Sequence, residues 1–172
     1  MGVLKELGHT AEPPNVLRRG IQHVASSRPI AWLLQRTLHR MDKPLFKMSD
    51  GRMTATGLLA GLPVVMLTTT GAKSGKARTM PLLGIPLGGD VAILGTNFGQ
   101  QATPGWVYNL EADPTATIAY RDRSVSVTAR RATDVESDEV FALAADVYRG
   151  YANYRDRVDH RVIRVFVLEP ST

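Results

Sequence analysis

The stretch Pro63-Val64-Val65-Met66-Leu67-Thr68-Thr69-Thr70-Gly71-Ala72-Lys73-Ser74-Gly75-Lys76-Ala77-Arg78-Thr79-Met80-Pro81-Leu82-Leu83 decides how this chain folds. An apolar, β-prone run leads in over residues 63–68 and a second extended run leads out over residues 79–83. Between them lies a turn rich in glycine and cations, so the segment reads as a β-hairpin with a charged tip. Gly71 and Gly75 permit positive φ and let backbone amides approach a ligand, which makes the tip a candidate anion-binding nest. Lys76 and Arg78, two apart on an outgoing strand, point to one side, where ammonium and guanidinium can together meet phosphate or carboxylate oxygens. A solvated hairpin tip with no ligand is the competing reading, because lysine and glycine decorate many turns. A P-loop is excluded: three residues rather than four separate Gly71 from Gly75, and Ala77 rather than Ser or Thr follows Lys76.

Outward from the hairpin the strand pattern continues. Residues 90–96 form a short buried strand after the Gly88-Gly89-Asp90 turn, residues 115–121 form another, and Ser124-Val125-Ser126-Val127-Thr128-Ala129 alternates cleanly. The short Arg121-Asp122-Arg123 link pairs these last two as a hairpin. Thr133-Asp134 with Glu136 opens a helix through Phe141, Leu143, Ala144 and Val147, and residues 161–168 form a closing strand. Strands joined mainly by hairpins, with inserted helices, indicate an α+β fold built on an antiparallel barrel rather than a doubly wound sheet.

The chain has 172 residues, enough for one domain that buries about 70% of its unfolded surface. It has no cysteine, which excludes disulfides, thiolate metal sites and cysteine nucleophiles. His9, His23, His39 and His160 are scattered without ligand spacing, so no metal site is expected. No secretory signal is visible, and the longest apolar run, residues 57–67, is too short for a membrane span and is broken by Pro63. The expectation is a cytoplasmic protein, soluble or associated with the inner face of the membrane.

The net charge of +5 is concentrated: residues 1–52 hold nine Lys/Arg against four Asp/Glu, whereas residues 53–172 hold twelve of each. The chain therefore divides into a basic amphipathic N-terminal arm (1–52) and a barrel (53–172). The first fifteen residues read as loosely ordered, and two helical patterns follow, one through Val16, Leu17, Ile21 and Val24 and one through Ile30, Leu33, Leu34, Leu38 and Met41. Their apolar faces suit packing on the barrel or on a partner subunit. They also suit docking at an anionic membrane surface, with Trp32 and the leucines in the interface. No recognition-helix or RNA-module motif is present, and nucleic acid is not an expected partner.

The run Thr68-Thr69-Thr70-Gly71-Ala72-Lys73-Ser74-Gly75-Lys76-Ala77-Arg78 resembles the signature turn of the deazaflavin (coenzyme F420)-dependent nitroreductase family. Gly95-Thr96-Asn97-Phe98-Gly99, then Pro104-Gly105-Trp106-Val107-Tyr108-Asn109-Leu110 and Asp113-Pro114, are similar to that family's later motifs in the same order. The likeness covers roughly residues 62–170. It implies the split β-barrel of flavin and F420 reductases, an F420-dependent oxidoreductase, and F420 as cofactor, with FMN as the alternative. A non-enzymatic carrier of a lipid-like ligand is the alternative from another class.

On that resemblance, Lys73, Ser74, Gly75, Lys76 and Arg78 meet the cofactor's phosphate and carboxylates, and Thr79, Met80, Pro81 and Leu82 run along it. Leu94, Gly95, Thr96 and Asn97 match the segment under the deazaflavin, with Gly105, Trp106 and Asn109 completing the cofactor set. Taken alone, Trp106 suits a core position better than a cofactor contact, and only the matched motif reverses that order; Gly95 taken alone suits a strand-end bulge. Pro104 suits the first turn of a helix on which Trp106 and Asn109 share a face. Some relatives carry lysine at the position of Asn97 and methionine at that of Gly105, so a cationic ring contact and a packing contact are absent here. Tyr148, Tyr151 and Tyr154 recur every third residue. They read as packed aromatics or, by the family resemblance, as the catalytic wall of a substrate pocket whose phenols stay protonated at neutral pH. The implied partner is a small-molecule hydride acceptor, a quinone, enone or nitroaromatic, and the implied assembly a monomer or homodimer.

Overall fold

The computed structural model describes residues 2–8, 64–97, 102–147 and 162–171. Among these, seven strands, β1 (Val64–Thr70), β2 (Ala77–Leu83), β3 (Ile85–Leu87), β4 (Asp90–Leu94), β5 (Thr115–Tyr120), β6 (Arg123–Arg131) and β7 (Val165–Pro170), join one sheet of order β2-β1-β5-β6-β7-β4-β3. The β1–β5, β3–β4, β4–β7, β5–β6 and β6–β7 pairs are all antiparallel. Three helices accompany them: α1 (Val3–Glu6), α2 (Gly105–Ala112) and α3 (Asp134–Val147).

The sheet has to curl. β2 and β3 stand at opposite ends of the strand order, yet Gly84 alone separates them along the chain. Consecutive Cα atoms lie about 3.8 Å apart, so a one-residue link cannot cross a flat seven-stranded sheet. Gly84 marks where the edges meet: a Cβ there would lie 3.1 Å from Val65 Cγ1 on β1 and 3.0 Å from Val91 Cγ1 on β4. The result is the expected α+β split barrel, its two edge strands consecutive in the chain rather than laddered.

Alternation along the strands fills it. Val65 and Leu67, Val91 and Ile93, Ala116 and Ile118, Val127 and Ala129, and Phe166 and Leu168 point into one core cluster. The opposite faces of β3, β4 and β7 carry Ile85, Ala92, Leu94 and Val165 against Val140 and Ala144 of α3. β4 and β7 are thus buried on both sides, which is why Val91-Ala92-Ile93-Leu94 and Val165-Phe166-Val167-Leu168 are continuously apolar whereas β6 alternates. Each fully buried side chain of this kind contributes on the order of 1.5–3 kcal/mol.

A capping box starts α3. The Thr133 Oγ1 accepts the Glu136 N–H (3.2 Å), and Glu136 Oε2 accepts the Thr133 N–H (2.8 Å). Arg130 on β6 donates to both Glu136 oxygens at 2.7 and 2.8 Å and to Glu169 Oε1 on β7 at 2.6 Å, tying the helix start to two strands. The Arg130 guanidinium, with the Thr133 amide, holds the Glu136 carboxyl down at about 2, and Glu136 in turn raises Arg130 further.

The start of the chain departs from expectation. Residues 2–8 are docked rather than loose: Val3 and Leu7 are buried in the barrel core. Val3 N–H donates to Asp90 Oδ1 (3.2 Å) and Leu4 N–H to the Gly89 carbonyl (3.0 Å). A four-residue helix has no stability of its own, so this burial is what maintains it. The two longer helices expected at residues 16–24 and 30–41, their lipid or subunit contact, and the 52/53 boundary lie outside the described residues.

Candidate functional site

The hairpin forms as expected, with β1 and β2 as neighbours and Thr68 Oγ1 2.8 Å from Thr79 Oγ1 across them. Lys73, Ser74, Gly75, Lys76 and Arg78 are all exposed. No carboxylate pairs with Lys73, Lys76 or Arg78 among the described residues. Like charges gathered without counterions repel each other. An anion that joined them would gain charge-assisted hydrogen bonds of roughly 1.5–3 kcal/mol each.

The nest reading is corrected. Gly71 N–H donates to the Lys76 carbonyl (2.9 Å), while Ser74 and Gly75 N–H both donate to the Gly71 carbonyl (3.1 and 2.8 Å). The Ala72 N–H donates to Asn109 Oδ1 (3.0 Å) and the Lys76 N–H to Ser74 Oγ (3.4 Å). Five amides of the turn are spent inside the protein, so these form no backbone cradle for an anion, and the exposed cationic side chains are what the turn offers one. The glycines also differ in purpose. Gly75 supplies the positive φ of 64°, whereas Gly71 makes room, since a Cβ on it would sit 2.6 Å from Ser74 Oγ.

Strand β2 carries the site onward. Thr79 and Pro81 are exposed, Met80 and Leu82 half-buried against the core, and β2 ends the strand order, with one side of its backbone unpaired among the described residues. An extended ligand running from the turn along this edge finds uncharged, small side chains.

The second motif is packed away from solvent. Leu94, expected beneath the deazaflavin, instead faces α3, because alternation along β4 turns Val91 and Ile93 inward and Ala92 and Leu94 outward. Gly95 and Thr96 are buried as well. The space Gly95 leaves is taken by the protein itself: a Cβ would lie 3.0 Å from Val107 Cγ2 and 3.1 Å from the Arg164 carbonyl, which accepts the Gly95 N–H at 2.8 Å. Asn97 adopts φ 47° and donates through Nδ2 to the Ala102 carbonyl (2.8 Å), bracing the ends of the segment between them.

Trp106 is likewise corrected from ring contact to core. It is 2% exposed and meets Phe166 edge to face at 5.8 Å between centroids. An indole with no free face cannot stack on a ligand. Pro104 is the residue before the helix, in extended conformation (φ −61°, ψ 144°), rather than inside its first turn. Gly105 is exposed with nothing near its missing side chain. Tyr148, Tyr151 and Tyr154 lie outside the described residues.

Sequence reasoning missed what fixes α2. Glu111 Oε1 receives Arg131 at 3.2 Å and Arg164 at 2.9 Å, from β6 and from the residues before β7. Asn109, expected on the ligand, faces the hairpin instead: Nδ2 donates to Thr69 Oγ1 (3.0 Å) while Oδ1 takes the Ala72 N–H. Just past the helix, Asp113 accepts the Thr115 N–H at 3.0 Å. This bond, helped by the Thr115 and Thr70 hydroxyls, holds its carboxyl below the usual range. One signal was legible in advance. Thr69 continues the inward series Val65, Leu67, and a hydroxyl at a core position needs a partner.

A curled antiparallel sheet of this strand order defines a split-barrel protein, and its exposed cationic turn, without a carboxylate partner among the described residues, leads into an edge strand of that order. Known proteins make this specific. The family model described as F420H(2)-dependent quinone reductase matches residues 38–170. An F420H(2)-dependent quinone reductase of Mycobacterium tuberculosis is 28% identical over 134 residues, 76% of this chain and 89% of that protein. Among solved structures, an F420-H2 dependent reductase (FDR-A) superposes with TM-score 0.57 at 37% identity, covering 62% of this chain and 94% of its own. A structure described as a domain-swapped dimer gives TM-score 0.59 at 32% identity over 82% of this chain and 99% of its own. The chain belongs to the F420H(2)-dependent quinone reductase family. Its class is thereby oxidoreductase and its cofactor coenzyme F420, as the resemblance implied. The family match begins at residue 38, inside the stretch read from charge as a separate arm. None of the helices among the described residues is long and apolar enough to cross a membrane.

Proposed function

We propose that the protein uses reduced F420 to reduce an electrophilic small molecule, a quinone, enone or nitroaromatic, with the cofactor's anionic chain held at the Lys73–Lys76–Arg78 turn. The observation that carries this reading is the set of three exposed cations without a carboxylate partner among the described residues, on a turn that is closed by its own hydrogen bonds. The donor set fits the group: phosphodiester and glutamate oxygens are hydrogen-bond acceptors, and these side chains are donors only. Lys73, Lys76 and Arg78, with Ser74, would hold the chain, and the edge of β2 would line the cofactor beyond it. When bound, reduced F420 supplies a hydride equivalent. The protein's part is to bind, orient and exclude water, and no side-chain nucleophile is required. Tyr148, Tyr151 and Tyr154 are the proposed acceptor-side residues, with a phenol or water supplying the proton that completes reduction. The domain-swapped dimer among the similar structures makes a homodimer the favoured assembly.

The test is a titration of the full-length protein with F420 and, in parallel, with FMN, following tryptophan fluorescence, then F420H2 oxidation with quinone, enone and nitroaromatic panels. Saturable F420 binding that weakens about 100-fold or more in the K73E/R78E variant is expected, from two lost charge-assisted contacts and added repulsion. Tight FMN binding without F420 binding, or unchanged affinity in that variant, overturns the reading.

A further inference from the structure

Among the described residues, no side chain of the turn that carries the cations is buried in the barrel core. Its own bonds close it upon itself, from Gly71 to Lys76, and among the described residues its bond to another element is the one the Ala72 N–H makes to Asn109. The geometry of that bond leaves no freedom. The Ala72 N–H can only donate, so Asn109 Oδ1 must face it, and Nδ2 is thereby directed to Thr69 Oγ1. Thr69 is 3% exposed, at the inner end of β1, and the contact satisfies its buried hydroxyl. A single side chain on α2 thus joins the last buried residue of β1 to the first residue after Gly71.

The helix that presents Asn109 is itself immobilised on three sides. Trp106 packs edge to face on Phe166, Val107 lies against Gly95, and Glu111 is held by Arg131 and Arg164. We propose that Asn109 is a positioning residue for F420: it fixes the Lys73–Arg78 turn, through Ala72 and Thr69, in the conformation that presents the cations to the cofactor's anionic chain. This rests on the function proposed above. Binding to a turn already in its bound shape avoids the ordering cost that a free loop would incur. Three long cationic side chains on a loose hairpin would each still find an anion, but not at one shared place.

The experiment uses F420 binding by the full-length protein and by the N109A and T69V variants, alone and combined with K76A/R78A. In the otherwise native background, N109A is expected to raise the F420 dissociation constant about tenfold and T69V about threefold, the worth of one or two hydrogen bonds. T69V is decisive because a side chain 3% exposed cannot touch the ligand. In the K76A/R78A background the N109A effect should shrink below about threefold, since two of the three cations that Asn109 positions are gone. In unligated N109A, hydrogen exchange at the Ala72 amide should accelerate while core amides of β4 and β7 keep their protection. Equal N109A effects in both backgrounds, unchanged affinity in N109A and T69V, or an unaltered Ala72 amide would each overturn the proposal. Failure of the native protein to bind F420 would sink the proposed function and this inference with it, whereas native binding with silent Asn109 and Thr69 variants sinks this inference alone.

Discussion

Two groups of cations in this molecule are used in opposite ways. Arg130, Arg131 and Arg164 each reach a carboxylate within 3.2 Å, and each joins elements that the sequence sets apart: β6 to α3 and β7, or α2 to the strands beneath it. Lys73, Lys76 and Arg78 reach none among the described residues. The first group is satisfied by the fold and contributes to stability; the second has no such partner among the described residues, and the proposed function gives it one in a ligand. A basic residue's role here is therefore told by its partner and not by its charge, and composition alone cannot separate the two.

That division predicts which substitutions act on stability and which on binding. The largest stability effect falls on the core that supports both groups: W106A should cost about 3–5 kcal/mol in denaturant unfolding, as expected for emptying a buried indole site against Phe166. A loss below about 1 kcal/mol would mean that Trp106 is not packed as described and would return it to the ligand surface. Next, R130M should cost about 1–3 kcal/mol, because Glu136 and Glu169 lose their shared partner while remaining partly solvated. F420 affinity in R130M should stay within about twofold of native at a temperature where the variant is folded, well inside a single hydrogen bond's worth. An R130M protein of native stability, or one that loses F420 binding, would erase the distinction between the two groups.

How much of this was readable beforehand depends on the distance over which each feature is decided. Strands announced themselves because their causes are local: the Ser124–Val125–Ser126–Val127 alternation matches the pleat, and Thr133 with Glu136 contains its own cap. The cationic turn was legible for the same reason. Asn109 was not, since its two partners lie 37 and 40 residues away and nothing near it in sequence names them. The docking of α1 was hidden because four residues are too few to show a helical period. Trp106 was misassigned because a motif shared with ligand-binding relatives identifies a region that matters, without saying whether a residue touches the ligand or supports one that does. The turn's amides follow the same rule: glycine content revealed a tight bend, but whether its N–H groups point in or out depends on Gly71 and Lys76 closing on each other.

The smallest predicted effect also separates the two groups, because only the paired one responds to acid through a carboxylate. Glu136 is held at about 2 by Arg130 and the Thr133 amide, below its ordinary value of 4.5. A depressed folded-state pKa means that the unfolded chain takes up the proton first. The stabilisation is complete above pH 4.5 and is lost progressively as the pH falls toward 2. E136Q removes that titration while keeping the side chain's size. Native protein should exceed E136Q in unfolding free energy by about 1 kcal/mol at pH 7, a partly exposed network's worth. The gap should narrow as urea melts are repeated at lower pH between those limits. A gap that stays constant with pH would show that Glu136 acts through shape and the helix cap rather than through its charge, and the Arg130 cluster would then owe its stability to hydrogen bonds alone.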